Sequence, residues 1–109
     1  MGMTPKTYIL LGYDAEEVLN RLPEEIADRF YKEEEIEVDG VILFYLRCGD
    51  DPEGLGVRIL NHRWYDGSRE IDFNALAKLV EELKPKATKI FKSWGINDEP
   101  KVLLYSIYD

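Results

Sequence analysis

Residues 36–65 read IEVDGVILFYLRCGDDPEGLGVRILNHRWY and decide the predicted fold. The runs 41–46 and 55–65 are rich in the aliphatic, β-branched and aromatic residues that strands favour. The segment 49–54 between them contains glycine, aspartate and proline, which predicts an exposed turn between two paired strands. Asp39-Gly40, earlier in the same stretch, fits either a tight hairpin turn or a bulge in one longer strand.

The segment before this stretch, residues 7–34, contains a short strand followed by apolar residues at helical spacing. A short apolar strand at 7–13 leads into helices predicted at 14–22 and 23–34. The two helices are separated at Pro23, because a proline is poorly tolerated inside a helix. Asp14 and Glu17 form a capping-box pattern that predicts the start of the first helix.

The C-terminal part of the chain shows a similar pattern. Asp72 or Ser68 is predicted to cap a helix, Pro85 to break it, and a following helix to end at Gly95. Residues 101–108 read as a final strand. The resulting β-α-β-β-α-β order matches the plan of ferredoxin-like folds. We therefore expect one α+β domain over residues 1–109, with an antiparallel or mixed sheet of about four to five strands and proline-broken helices on one face.

The strands predict more apolar surface than these helices can cover. The strands at 7–13, 41–46 and 102–108 are apolar on both faces, and a large exposed apolar patch is rare on a monomer. The second face is therefore either covered by the hairpin and loops or used as an interface, which favours a homodimer formed through the sheet. The residues predicted for the core are Leu19, Ile26, Phe44, Leu79, Phe91 and Leu103.

The net charge of the chain is concentrated in residues 14–39. This segment has 11 acidic and 3 basic residues, which gives 3 − 11 = −8, the same as the net charge of the whole chain. A localised charge of this kind creates a directional electrostatic field. It predicts a docking surface for a basic protein, although a helix face that only aids solubility would look the same. The predicted partner-binding residues are Glu17, Glu24, Glu25, Asp28 and Glu33.

The leading functional hypothesis is an acidic protein-interaction domain. An inhibitor, an immunity protein or an antitoxin acting on a basic partner, such as a nucleic-acid enzyme, would fit this charge pattern. The acidic balance argues against direct nucleic-acid binding, which needs lysine and arginine. The sequence has no apolar run near the ~20 residues of a membrane span, so no membrane partner is expected. Cys48 is the single cysteine, which favours a reducing, cytoplasmic location.

An alternative site lies on the strand that ends near residue 66. On an ideal strand Arg58, His62 and Trp64 share one face, where they could bind an anionic ligand or a nucleobase. His62 could act as a general acid or base, but nucleophilic catalysis would require Cys48 or Ser68 to come close to it. The alternative functions are a small ligand-binding or catalytic domain, or a homodimer whose function the sequence does not show. The alternative ligand site comprises Arg58, His62, Arg63, Trp64 and Asp66.

Clustered loop carboxylates raise the question of a metal site. Asp50, Asp51 and Glu53 lie in one predicted loop and Asp98 and Glu99 in another. They lack the spacing of a calcium-binding loop, and turn formation explains them better. One histidine and one cysteine cannot form a structural zinc site by themselves, and the sequence has no nucleotide-binding or zinc-protease motif. We expect no metal, no cofactor and no catalytic residues. These expectations favour a non-enzymatic protein over an enzyme.

Overall fold

A computed structural model describes residues 5–63 and 67–108. Within these residues no helix combines the length and apolar character that crossing a membrane requires. The elements in chain order are β1 (Pro5–Asp14), α1 (Ala15–Val18), a 3-10 turn (Leu19–Arg21), α2 (Glu24–Glu33), β2 (Glu35–Val38), β3 (Val41–Cys48), β4 (Asp51–Arg63), α3 (Phe73–Ser93) and β5 (Lys101–Tyr108).

The five strands form one sheet in the order β2-β3-β4-β1-β5. All of its strand pairs are antiparallel. The α+β class is therefore confirmed, but the ferredoxin-like order is not. Three strands, rather than two, lie between α2 and α3. The additional strand, β2, pairs with β3 and forms one edge of the sheet, so the sheet has a fifth strand that the β-α-β-β-α-β plan does not contain.

The ambiguous Asp39-Gly40 pair is a hairpin turn. Asp39 and Gly40 have φ values of 50° and 78°, and they join the paired strands β2 and β3. Positive φ at both central residues is typical of the tight turn whose twist matches the flanking strands. The second turn is shorter than predicted, because β4 begins at Asp51. The register between β3 and β4 shifts beside Pro52, at the kind of irregularity where a strand accommodates proline.

The two helix prolines have different effects. Pro23 is the N-cap of α2, and Leu22 before it is extended with ψ 152°, so the predicted separation of two helices is confirmed. Pro85 lies inside α3, which runs unbroken over 21 residues. The predicted break is therefore wrong. Apolar residues on both sides of Pro85 pack into the same core, and their burial offsets the cost of an internal proline, about 3 kcal/mol.

The main core lies between the sheet and the helices. Phe91 makes edge contacts with Tyr13 and Trp94 at ring-centroid distances of 4.8 and 5.5 Å. Phe91 and Leu19 are buried as predicted, whereas Leu79 is 37% exposed, so its assignment to the core is wrong. The inward stripe of α3 runs through positions 76, 80, 83, 87 and 90, and position 79 lies at its flank. Three further predicted core residues, Ile26, Phe44 and Leu103, are half-buried.

The opposite face of the sheet carries a second apolar cluster. Tyr8, Leu10, Leu46 and Ile107 are its buried members, each no more than 6% exposed. Tyr8 stacks on Phe44 at 6.0 Å between ring centroids. The strands' own side chains thus bury this cluster. The sequence had instead predicted that the hairpin and loops, or an interface, would cover this face of the sheet.

Glycines make room for this second cluster. A Cβ on Gly54 would lie 2.7 Å from Leu10 and 2.8 Å from the Tyr105 ring. Gly12 and Gly56 face each other across β1 and β4, where a Cβ on Gly12 would come within 2.1 Å of the Leu55 carbonyl oxygen. The backbones can therefore approach closely only because both positions lack side chains.

Candidate functional site

The acidic surface is formed by α1, the 3-10 turn and α2, and comprises the five predicted partner-binding residues. Leu19, Leu22 and Phe30 turn inward and are buried. Helical periodicity therefore directs the intervening polar positions to solvent. All five acidic side chains, those of Glu17, Glu24, Glu25, Asp28 and Glu33, are exposed as expected for a docking surface.

The acidic surface is largely uncompensated by nearby bases. Arg29 pairs with Glu33 at 3.2 Å, but Arg21 is directed away and pairs with Asp98 at 2.8 Å. The remaining four carboxylates, those of Glu17, Glu24, Glu25 and Asp28, have no hydrogen-bond or ion-pair partner in the described part of the chain. Their charge therefore acts on the surrounding solvent and on any approaching molecule.

A second group of acids adjoins the start of α1. Asp14, Glu16 and Glu17 line a depression of about 470 Å³ together with Asp51 and Glu53. In the sequence, Asp51 and Glu53 are predicted to lie in a turn, with no connection to α1. They are brought there by the pairing of Asp14 with Gly54 across β1 and β4. No signal in the sequence alone indicates that register.

Asp14 does not cap α1 with its side chain, so the predicted capping box is not formed. Its Oδ1 instead accepts a hydrogen bond of 2.7 Å from the hydroxyl of Tyr105 on β5. Burial raises the pKa of Tyr105 well above its usual value, and the hydrogen bond to Asp14 and the negative charges of Asp14, Glu53 and Glu17 raise it further. The hydroxyl therefore remains a protonated donor at neutral pH.

A partly exposed tyrosine lies on the same helix as most of the acids. Tyr31 of α2 is 49% exposed, and its ring contacts that of Tyr45 edge-on at 5.7 Å. Beside it, Arg47 pairs with Glu34 at 2.8 Å. Tyrosines that are held in place but remain accessible are common among residues that dominate protein interfaces. Tyr31 is not among the predicted site residues, because its exposure depends on how α2 packs.

The two loop groups of carboxylates do not form a metal site. Asp98 pairs with Arg21, and Glu99 pairs with Lys84 at 2.5 Å. The hydrogen bond and charge of Lys84 hold the pKa of Glu99 below its usual value. Across residues 5–63 and 67–108, no three histidine, cysteine, aspartate or glutamate side chains are grouped so that they could hold a metal ion.

The predicted ligand strand is divided by a bulge. Arg58 lies opposite Leu10 and His62 opposite Thr7, with a register shift between the two pairs. Because Leu10 and Thr7 are three positions apart on β1, Arg58 and His62 lie on opposite faces. The prediction that they share a face is therefore wrong. Arg58 lies over the ring of Phe44 in the second cluster, 5.2 Å from its centroid. Trp64, Asp66 and the side chain of Arg63 lie outside what the structure describes.

His62 instead lines a groove of about 290 Å³ on the helix side of the sheet. Ile9, Leu60 and Leu104 form apolar parts of its wall, and Ser68 also contributes. Nδ1 of His62 is buried and has no hydrogen-bond partner among the described residues. Ser68 thus shares the groove with His62, but no hydrogen bond joins them. Cys48 packs against the second cluster on the other face, so it is not brought to His62.

Comparison of the chain with protein-family models, curated proteins and solved structures finds no match. Function is therefore inferred from the chain's own surfaces. The acidic surface offers exposed carboxylates, and the groove beside His62 offers a buried nitrogen without a hydrogen-bond partner among the described residues.

Proposed function

We propose that the protein is a cytosolic protein-interaction domain whose acidic surface binds a basic protein. In this proposal it acts as an inhibitor, an immunity protein or an antitoxin towards a nucleic-acid enzyme. The observation that supports it most is the set of four exposed carboxylates on α1 and α2 that have no partner in the part of the chain that the structure describes. These belong to Glu17, Glu24, Glu25 and Asp28.

Electrostatics and packing support the same assignment. Proteins that bind nucleic acids carry basic surfaces, and a concentrated acidic surface is complementary to them. Such complementarity accelerates encounter and orients the partners. Exposed carboxylates contribute little to folding stability, so this charge concentration is better explained by recognition than by the fold. Tyr31, 49% exposed on α2, would add the apolar contact that charge alone does not supply.

The test compares two triple variants with the same change in charge. One carries Glu24→Lys, Glu25→Lys and Asp28→Lys in the acidic surface. The matched control carries Glu70→Lys, Glu81→Lys and Glu82→Lys, at exposed positions on and just before α3. Each tagged protein is used to capture partners from cells of the source organism. The association rate of a captured basic protein is then measured at two salt concentrations.

We expect the acidic-surface variant to lower the association rate on the order of tenfold or more at low salt, with a much smaller effect in the control. The rate for the parent chain should fall steeply as salt screens the exposed charges. The parent should also inhibit the captured enzyme, and the acidic-surface variant should inhibit it less. Equal losses in both variants would show that net charge alone matters, and unchanged binding by the acidic-surface variant would overturn the proposal.

The groove beside His62 supports a second candidate function, the binding of a small ligand. The specific observation is the buried Nδ1 of His62, which has no hydrogen-bond partner among residues 5–63 and 67–108 and lies in a largely apolar groove. A ligand with an apolar body and one hydrogen-bonding group would satisfy that atom. Native mass spectrometry of the protein purified from its source would show a retained small molecule. It should be lost in His62→Leu and kept in Arg58→Ala, whose side chain lies on the opposite face; loss in both variants, or no retained molecule, would contradict this function.

A further inference from the structure

The outer edge of β5 is open in the described part of the chain. β5 pairs with β1 along its length without a register shift, and it ends the strand order of the sheet. Its sequence, KVLLYSIY, has one charged residue, Lys101 at its first position, and no proline. Natural sheets protect their edges with charges, prolines, bulges or short strands. Beyond Lys101, this eight-residue edge has none of these protections.

Apolar side chains lie along the same edge. Val102 and Leu104 are 54% and 69% exposed, and as alternate residues they share one face of the strand. Leu104 also forms part of the groove wall together with Ile9 and Leu60. The edge therefore offers both unpaired backbone groups and an adjoining apolar strip, which together suit the addition of another strand.

We propose that a second copy of this chain pairs with β5 in antiparallel orientation, with the two-fold axis at Leu104. Opposed residues of an antiparallel pair lie on the same face. The axis at Leu104 therefore brings the Leu104 side chains of the two copies together. It also places Val102 of one copy opposite Ser106 of the other. Both helix layers then lie on the same side of one continuous sheet. The arrangement is closed, since each copy uses its β5 edge once.

The charge distribution selects a second copy over the basic partner as the occupant of this edge. β5 between Lys101 and Tyr108 has no acidic residue that could attract a basic protein. In the proposed dimer β2, with Glu35 and Glu37, lies at the two outer ends of the sheet. The acidic surface is not part of the contact, so this inference is independent of the proposed function. One strand from each copy buries less than the roughly 800 Å² per partner of a standard interface, so we expect micromolar affinity.

The first test measures the oligomeric state by sedimentation velocity from about 1 to 200 µM, a range that brackets micromolar dissociation. The parent should pass from monomer to dimer. Leu104→Lys places two like charges at the axis and should raise the dissociation constant by about tenfold or more. Ile42→Lys is the matched control, because Ile42 is also about half exposed, at 51%, but lies on β3. It should leave the dimer intact.

Three results would overturn the proposal: a parent that stays monomeric throughout, a Leu104→Lys variant that still dimerises, or equal dissociation by Ile42→Lys. A second measurement separates pairing through the edge from packing through a face. Amide hydrogen exchange in residues 101–108 should slow as concentration rises, while exchange in residues 35–38 should not. A dimer without that protection would also overturn edge pairing. The acidic-surface triple variant should dimerise like the parent, so failure here does not bear on partner binding.

Discussion

β2 and β5 form the two edges of one sheet and differ in almost every property that controls edge pairing. β2 has four residues, EIEV, with Glu35 and Glu37 exposed at alternate positions. β5 has eight residues, and its exposed alternate positions are Val102, Leu104 and Ser106, none of them charged. Charge and shortness are two ways in which proteins prevent edge-to-edge association. The chain applies both at one edge and neither along most of the other.

The difference follows the distribution of charge along the chain. β2 directly follows α2, and Glu34, Glu35, Glu37 and Asp39 continue the acidic run of residues 14–39. The same run of acidic residues that forms the acidic surface therefore also protects the adjacent β2 edge from pairing with another strand. β5 is made from a different part of the sequence and lies at the opposite end of the strand order. One side of the molecule is thus suited to a charged partner and the other to an apolar one.

The largest predicted effect concerns the core that holds both edges in one rigid sheet. Phe91 is fully buried against Tyr13 and Trp94, so Phe91→Ala should reduce the free energy of unfolding by about 3–5 kcal/mol. Leu79→Ala is the control on the same helix. Because Leu79 is 37% exposed, its truncation should cost less than about 1 kcal/mol. Urea denaturation measures both values, and similar losses would show that α3 presents a different face to the sheet.

Local chemistry predicted much of this fold. The strands at 7–13, 41–46 and 101–108 are visible as apolar runs. Gly95 ends α3 with φ 89°, and Asp72 caps it by accepting hydrogen bonds from the backbone of Asn74 and Ala75. Each of these features depends on a few neighbouring residues, so the sequence carries the necessary information. The exposure of the predicted acidic surface was equally accessible, because helical periodicity decides it.

The features that the sequence did not reveal depend on long-range packing. Pro85 has the same chemistry as Pro23, yet α3 continues through it because both of its halves share one core. The bulge that separates Arg58 from His62 arises from the pairing of β4 with β1. The same pairing joins Asp51 and Glu53 to the acidic depression. A single sequence gives no measure of how distant segments align, and these three differences have that origin.

An exchange of edge properties tests the comparison between β2 and β5 directly. Val102→Glu with Leu104→Glu gives β5 the alternate glutamates of β2, and should raise the dimer dissociation constant by about tenfold, or 1.4 kcal/mol, or more. The reciprocal variant, Glu35→Val with Glu37→Val, should keep the β5 dimer and add a weaker, concentration-dependent association. Light scattering with size-exclusion chromatography distinguishes the species. If β5 still pairs with glutamate at both positions, charge does not explain why the β2 edge is protected from pairing.

The smallest predicted effect concerns the electrostatic influence of the acidic depression on the pKa of Tyr105 in β5. The pKa of Tyr105 is raised by burial, then by its hydrogen bond to Asp14 and by nearby carboxylates that include Glu53. Glu53→Gln removes one negative charge without altering that hydrogen bond, so the phenolate becomes less unfavourable and the pKa should fall. Glu82→Gln, on the exposed side of α3, should leave it unchanged. NMR of tyrosines labelled at the ring carbon that bears the hydroxyl, assigned with Tyr105→Phe, measures the pKa in each variant.

The same shift fixes the sign of a pH effect on stability. Because the folded-state pKa of Tyr105 lies above the ordinary tyrosine value of about 10, its contribution to stability is fully present below that pH and is lost as the pH rises beyond it. Glu53→Gln should therefore make the alkaline loss of stability smaller, since less of the shift remains. If neither the pKa nor the alkaline loss changes, the field of the acidic depression does not reach β5. The two edges would then be electrostatically independent, and the apolar character of β5 would have to be explained without reference to the acidic side.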